Sequence, residues 1–115
     1  MSDFVTLSET RPRARTQHTC DWCSRTIDPG ETYRRTGQIF DGRKYAWKGC
    51  QHCEAFVSTC DLYEWAGDFG LGADDIDQYE PGDIFGARCL VMWRRKWRRK
   101  DGTLYPIPAR EAAAA

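Results

Sequence analysis

Polar and apolar positions alternate loosely between residues 31 and 45, which is the period of a half-buried strand. The pattern predicts two strands, near 32–40 and 43–48. Asp41 and Gly42 separate the two runs, and an Asp-Gly pair is typical of a tight hairpin turn. We therefore expect an antiparallel β-hairpin in this part of the chain.

The apolar spacing changes to that of a helix after Cys50. Phe56, Cys60 and Tyr63 recur at positions i, i+4 and i+7, and Gly67 follows as a helix stop signal. The stretch after it is rich in glycine and aspartate. It predicts a loop with one helical turn near 73–79.

A second helical stripe is formed by Leu90, Trp93 and Trp97 at positions i, i+3 and i+7. Asp83 stands at the N-cap position, so we expect one helix over residues 84–100. We also expect its apolar stripe to pack on the preceding elements. The opposite face carries four arginines, namely Arg94, Arg95, Arg98 and Arg99.

A chain of 115 residues predicts a single domain. We divide it into an extended polar arm (1–17), a hairpin-and-helix module (18–67), an acidic loop (68–83), a basic helix with an extended tail (84–108) and a disordered tail (109–115). The arm is predicted because Arg11, Arg13 and Arg15 alternate around a proline, which disfavours a helix. The alanines that end the tail need not be native sequence.

Charge is balanced overall but unevenly placed. The chain has 17 basic and 17 acidic residues, so its formal net charge is zero and any attraction to nucleic acid or membrane must be local. Residues 61–83 carry eight acidic groups and no basic one, whereas residues 84–100 carry seven basic groups and no acidic one. Either the two segments pair with each other, or the basic face stays open for a partner.

No apolar run approaches the length of a membrane span, and the N-terminus has no basic and apolar leader pattern. We therefore expect a cytoplasmic protein with no membrane partner. Six cysteines in a reducing compartment indicate metal binding more than disulfides.

Four of the cysteines have the spacing of a zinc site. Cys20 and Cys23 form one Cys-x-x-Cys pair, Cys50 and Cys53 form another, and 26 residues separate the pairs. Structural zinc takes four protein ligands in a tetrahedron and prefers thiolates, so we predict one structural Zn²⁺. Four ordinary buried cysteines are the simpler alternative. A redox dithiol is less favoured because no βαβ pattern surrounds either pair.

The order of elements resembles a treble-clef zinc finger, in which a knuckle, a β-hairpin and the first turn of a helix hold the metal. The predicted fold class is therefore a small α+β protein with a zinc-stabilised treble clef, followed by a second, basic helix. Four cysteines complete the ligand shell, so we assign His18 and His52 to the surface or to the surroundings of the site. Cys60 and Cys89 are expected to be buried without binding metal.

Two segments resemble small zinc-binding proteins encoded by actinobacterial bacteriophages. The first runs from Cys20-Asp-Trp-Cys through Pro-Gly-Glu-Thr-Tyr33 to Cys50-Gln-His-Cys53, and the second is Trp93-Arg-Arg-Lys-Trp-Arg-Arg-Lys ending at Pro108. The resemblance covers most of residues 11–108. It implies a phage origin and a treble-clef fold, and it brings no defined activity.

The sequence favours a binding protein over an enzyme. One treble-clef branch, the HNH nucleases, needs histidines on the hairpin and helix to bind a catalytic metal, but residues 31–49 contain none. Asp74, Asp75 and Asp77 have the chemistry for Mg²⁺, although a solvated acidic loop is far commoner. A degenerate HNH-like nuclease remains an alternative, and no small-molecule substrate is indicated.

The first candidate partner is nucleic acid, bound through the arginines of residues 94–99 with help from Arg11, Arg13 and Arg15. Trp93 and Trp97 would stack on bases if exposed, but their shared stripe with Leu90 favours the core. The second candidate partner is a host protein, bound by the acidic segment 61–83. Steep weakening by salt would distinguish phosphate binding from an apolar protein interface.

Overall fold

The computed structural model describes residues 5–40, 42–66 and 70–109. Within them the chain forms a small α+β fold with antiparallel sheets and three α-helices. The strands are β1 (Val5–Thr10), β2 (His18–Thr19), β3 (Thr26–Ile27), β4 (Tyr33–Phe40) and β5 (Arg43–Cys50). The helices are α1 (Gln51–Thr59), α2 (Ala73–Asp77) and α3 (Ile84–Arg94), with a short 3-10 helix at Leu62–Trp65.

The predicted hairpin is confirmed as β4 and β5. Its register runs from Phe40 opposite Arg43 to Tyr33 opposite Cys50, so the loop is the expected two-residue turn. Gly42 has a φ of 76°, a left-handed value that glycine adopts at little cost. Asp41 and the predicted stop at Gly67 lie outside the described residues.

The segment predicted as an extended polar arm, residues 1–17, is extended from Val5 to Thr10, but it pairs with the sheet there and does not project as an arm. Val5–Thr10 is an edge strand that pairs antiparallel with β4, so the sheet order is β1-β4-β5. The next residues are also held by backbone hydrogen bonds, from Tyr33 N–H to Pro12 O and from Ala14 N–H to Glu31 O. Without β1, β4 would expose a row of unpaired backbone groups, and this long-range pairing is what the local composition did not indicate.

The core lies between the sheet, α1 and the C-terminal segment. Its largest fully buried side chains include Trp22, Trp97, Phe56 and Ile27. The ring of Phe56 packs edge-on against Trp97, with 5.8 Å between ring centroids. The two tryptophans thus flank the cysteine pairs, one from the turn between β2 and β3 and one from beyond α3.

The prediction of one helix over residues 84–100 is wrong at its C-terminal end. Asp83 caps α3 as expected, accepting a hydrogen bond from Gly86 N–H, but the helix ends at Arg94. Lys96 and Trp97 then adopt left-handed φ values of 57° and 60°. Lys96 N–H donates to Trp93 O and Trp97 N–H donates to Met92 O, which is the Schellman pattern of helix termination. The reversal turns the indole of Trp97 into the core.

Replacing Lys96 with glycine is expected to stabilise the protein by about 1 kcal/mol, because a side chain in the left-handed region costs roughly that much and glycine does not. Urea denaturation of the metal-loaded protein would measure the change. Lys100→Gly is the matched control, since Lys100 is exposed and has no left-handed φ. A Lys96→Gly variant less stable than the wild type would contradict this account of the helix end.

Candidate metal centre

Two local structures bring the cysteine pairs together. Cys20 and Cys23 lie on the tight turn between β2 and β3, which Ser24 closes with a left-handed φ of 67° and a hydrogen bond from its N–H to Cys20 O. Cys50 is the last residue of β5 and the N-cap of α1. Cys53 lies in the first turn of that helix, where the helix dipole favours negative charge.

The four cysteines form a closed, buried group. All four Sγ atoms lie within 4.8 Å of one another. The Cys20–Cys53 and Cys23–Cys50 Sγ distances are 3.8 and 3.9 Å. A tetrahedron with metal–sulfur bonds of about 2.3 Å has sulfur–sulfur edges of about 3.8 Å, whereas a disulfide would need about 2.05 Å. The site therefore has the geometry to hold one metal ion with four thiolates.

Backbone and indole N–H groups surround the sulfur atoms. Cys20 Sγ accepts from the N–H groups of Trp22 (3.4 Å) and Cys50 (3.3 Å), and Cys50 Sγ accepts from Cys53 N–H (3.4 Å). Trp97 Nε1–H points at Cys53 Sγ over 3.3 Å. Such donors stabilise thiolate charge and orient the ligands around a metal. Sequence patterns placed Trp97 on a helix and gave no signal of this contact.

Without a cation the four thiols cannot all ionise. Hydrogen bonds with Cys23, and then with the other two cysteines, lower the pKa of Cys20. Burial, and then the contact with Cys20, raises the pKa of Cys53. The four buried thiols therefore compete for ionisation. A divalent cation would remove this competition, because its charge replaces the shared protons and stabilises four thiolates at once.

A buried arginine offsets part of the thiolate charge. The side chain of Arg25 is fully buried, pairs with Glu31 at 2.8 Å and donates to Thr26 O at 2.8 Å. Burial opposes its charge, but Glu31 and then the charge of Cys50 raise the pKa of Arg25 overall. Its Nε has no hydrogen-bond partner among the residues that the structure describes. The Arg25 guanidinium thus lies between the Glu31 carboxylate and the cysteine group. Four thiolates bound to a metal would supply the negative charge on the cysteine side.

The two histidines lie beside the site and outside the cysteine group. His52 is buried, with Nε2 2.6 Å from Tyr105 O and Nδ1 3.3 Å from the Arg25 guanidinium. Burial, and then the charge of Arg25, lowers the pKa of His52. The neutral ring thus donates to the tail and accepts from Arg25. His18 is half-buried, and its Nδ1 lies 3.2 Å from Lys48 Nζ.

Cys60 and Cys89 are separate from the four-cysteine group. Cys60 is half-buried at the C-cap of α1, and Cys89 is buried in α3. Among the described residues, only Cys20, Cys23, Cys50 and Cys53 form a group that could hold a metal ion.

The arginines predicted to bind nucleic acid have mixed surroundings. Arg94 pairs with Asp77, but half of its side chain stays exposed. Arg98 donates to Gly102 O at 2.9 Å and lies 3.5 Å from Asp28. Arg99 donates to Leu104 O at 2.9 Å and covers the ring of Tyr105. Only Arg94 thus pairs with the acidic segment, as far as the described residues show.

The remaining predicted arginines also differ from one another. Arg11 pairs with Glu54 of α1. Arg13, Arg15 and Arg95 are exposed and make no side-chain hydrogen bond or ion pair with other described residues. Trp93 and Trp97 are 9% and 0% exposed, so these tryptophans belong to the core and offer no stacking surface.

No helix in the described part of the chain is long and apolar enough to cross a membrane. No protein-family model, no curated protein and no solved structure matches this chain.

Proposed function

We propose that the protein is a zinc-stabilised, non-catalytic binding protein whose exposed arginines contact nucleic acid. The observations that carry the proposal are the buried four-cysteine group and three exposed arginines, Arg13, Arg15 and Arg95, that no described carboxylate neutralises. Four thiolates and no exposed ligand position favour Zn²⁺ in a structural role over a catalytic metal. The Cys20–Cys23 turn between β2 and β3 (the knuckle), the end of the β4–β5 hairpin and the first turn of α1 supply the ligands in treble-clef order, which supports that fold.

The basic surface combines two distant parts of the sequence. Arg98 contacts Thr26 O of β3 and Asp28 in the turn that follows this strand. Arg13 packs over Gly30 of the same turn, where an added β-carbon would lie 3.8 Å from its guanidinium. The turn after β3 therefore lies between Arg98, which follows α3, and the Arg13–Arg15 segment, on one side of the molecule.

The exposed cations in these two parts of the sequence are Arg13 and Arg15, which precede β2, and Arg95, Lys96 and Lys100, which follow α3. None of them is neutralised by a described partner, so their charge is available to phosphates. The core position of both tryptophans leaves phosphate contacts, rather than base stacking, as the expected mode of binding. Such contacts do not distinguish DNA from RNA by themselves.

Changing Arg95 and Lys100 together to glutamate is expected to abolish nucleic-acid binding while leaving the metal and the fold intact. Fluorescence anisotropy against duplex and single-stranded DNA, at low and moderate salt, would measure it. The wild type should bind more weakly as salt rises, since each phosphate contact releases a counterion. Arg99 is unsuitable for this test because it holds the C-terminal turn.

Arg43→Glu with Lys44→Glu is the matched control. It makes the same change of charge at the turn end of the β4–β5 hairpin, where both side chains are exposed. Equal loss of binding in both double variants would contradict a defined surface. A wild type that binds no nucleic acid at low salt would overturn the proposal and favour a host protein as the partner.

Binding of a host protein through the acidic segment is the second candidate function. Asp61, Asp74 and Glu80 are exposed carboxylates of that segment and make no side-chain hydrogen bond with other described residues. A pull-down from host lysate, with and without nuclease treatment, separates a protein partner from one retained through nucleic acid. We do not propose the nuclease alternative, because His52 is buried and engaged by Arg25 and Tyr105.

A further inference from the structure

A cleft separates the three-stranded sheet from the segment that leads into α2. Its volume is about 430 Å³. Aromatic side chains from three parts of the chain line it, namely Trp22 of the knuckle, Tyr45 and Trp47 of β5, and Tyr63 of the 3-10 helix. Tyr45 and Tyr63 are 39% and 54% exposed, so both rings are accessible from the cleft.

The cleft is also negatively charged. Asp21, Asp74 and Asp75 line it, and the first two are exposed. Asp21 accepts a hydrogen bond from Lys48 N–H and Asp75 accepts one from Gly72 N–H, so both carboxylates are held in place by the backbone. Anions such as phosphate are therefore disfavoured here, in contrast to the basic surface.

The protein already places one cation in this cleft. The guanidinium carbon of Arg34 lies 5.6 Å from the ring centroid of Trp22, within the range of a cation–π contact. The charge of Arg34 is taken up by Glu9 of β1, so it does not neutralise the three aspartates. This contact shows that the aromatic wall accepts a guanidinium group, and among the described residues no cation lies over the ring of Tyr45 or Tyr63.

We propose that this cleft binds an alkylammonium or guanidinium group, held between the exposed tyrosines and the aspartates. The aromatic rings supply cation–π attraction and the carboxylates supply charge-assisted hydrogen bonds. The group belongs either to a lysine or arginine side chain of a basic peptide or to a free polyamine, since both carry the same chemistry. This site lies apart from the basic surface and does not depend on nucleic-acid binding.

Titration of the metal-loaded full chain, followed by two-dimensional NMR, tests the proposal. The probes are a blocked Gly-Gly-Arg-Gly-Gly peptide, the same peptide with glutamine in place of arginine, and spermidine. The arginine peptide or spermidine should shift the indole signals of Trp22 and Trp47, and the glutamine peptide should not. Tighter binding of the peptide than of spermidine identifies a protein source, and the reverse order identifies a polyamine.

Two variants localise the effect. Asp74→Asn should weaken binding several-fold, whereas Glu80→Gln, which removes the same charge from an exposed residue that does not line the cleft, should not. Tyr63→Leu keeps an apolar side chain but removes the π system, and it should weaken binding by about tenfold. Shifts confined to other surfaces, equal affinity for the glutamine peptide, or equal effects of Asp74→Asn and Glu80→Gln would each overturn the proposal.

Discussion

Replacing Cys50 with serine is expected to abolish metal binding and to unfold most of the protein. Cys50 connects β5 to α1, and its sulfur both belongs to the four-cysteine group and caps the helix. Structural zinc contributes roughly 10–16 kcal/mol in small domains, which is comparable to or larger than the stability of about 5–15 kcal/mol that a whole domain has. The loss of one ligand therefore removes much of what holds the knuckle and helix together.

Metal analysis of the purified protein and thermal unfolding followed by circular dichroism would measure the two effects. The wild type should contain one zinc ion per chain, and a chelator should reproduce the unfolding seen in the variant. Lower pH should weaken the site in the same way, because thiolates must lose protons to bind the metal. A metal-free wild type with unchanged thermal stability would disprove a structural metal.

Cys60→Ala is the matched control for this experiment. Cys60 lies outside the four-cysteine group and is half-buried at the end of α1. The variant should keep its zinc and lose on the order of 1 kcal/mol through reduced packing. Loss of zinc from Cys60→Ala would show that the ligand assignment is wrong.

Replacing Gly49 with alanine is expected to destabilise the protein by about 3 kcal/mol, the upper part of the range for overpacked cores. A β-carbon at this position would lie 2.4 and 2.6 Å from two carbons of the Trp22 ring. Trp22 cannot move away easily, because it is 2% exposed and its Nε1–H donates to Leu71 O at 2.9 Å. The clash would push the knuckle away from β5, so metal affinity should fall together with stability.

Urea denaturation at a fixed free zinc concentration, with a competitive chelator to measure affinity, checks both effects. Gly82→Ala is the control, since an added β-carbon there meets nothing within 4 Å. That variant should stay within about 0.5 kcal/mol of the wild type. A Gly49→Ala variant as stable as the control would contradict the packing of Trp22 on β5.

Local patterns were sufficient for the elements that depend on nearby residues. The alternation and the Asp-Gly turn predicted the β4–β5 hairpin, and the Asp83 cap predicted the start of α3. The spacing after Cys50 predicted the start of α1, but the helix ends at Thr59 and Tyr63 lies in the separate 3-10 helix. The two Cys-x-x-Cys pairs likewise singled out the four residues that the fold brings together. In each case the signal is carried by positions a few residues apart, where chain geometry leaves few alternatives.

Contacts between distant residues decided the rest. β1 forms because β4 offers an open edge with unpaired backbone groups. α3 ends early because burying Trp97 against Phe56 and Cys53 outweighs the backbone strain of two left-handed residues, Lys96 and Trp97. The sequence by itself determined the hairpin, the starts of α1 and α3 and the cysteine pairs, since these follow from local periodicity and spacing. Only the tertiary structure decided the edge strand, the buried Arg25 beside the thiols, the indole donor to Cys53 and the aromatic cleft, because each depends on long-range packing that no local pattern encodes.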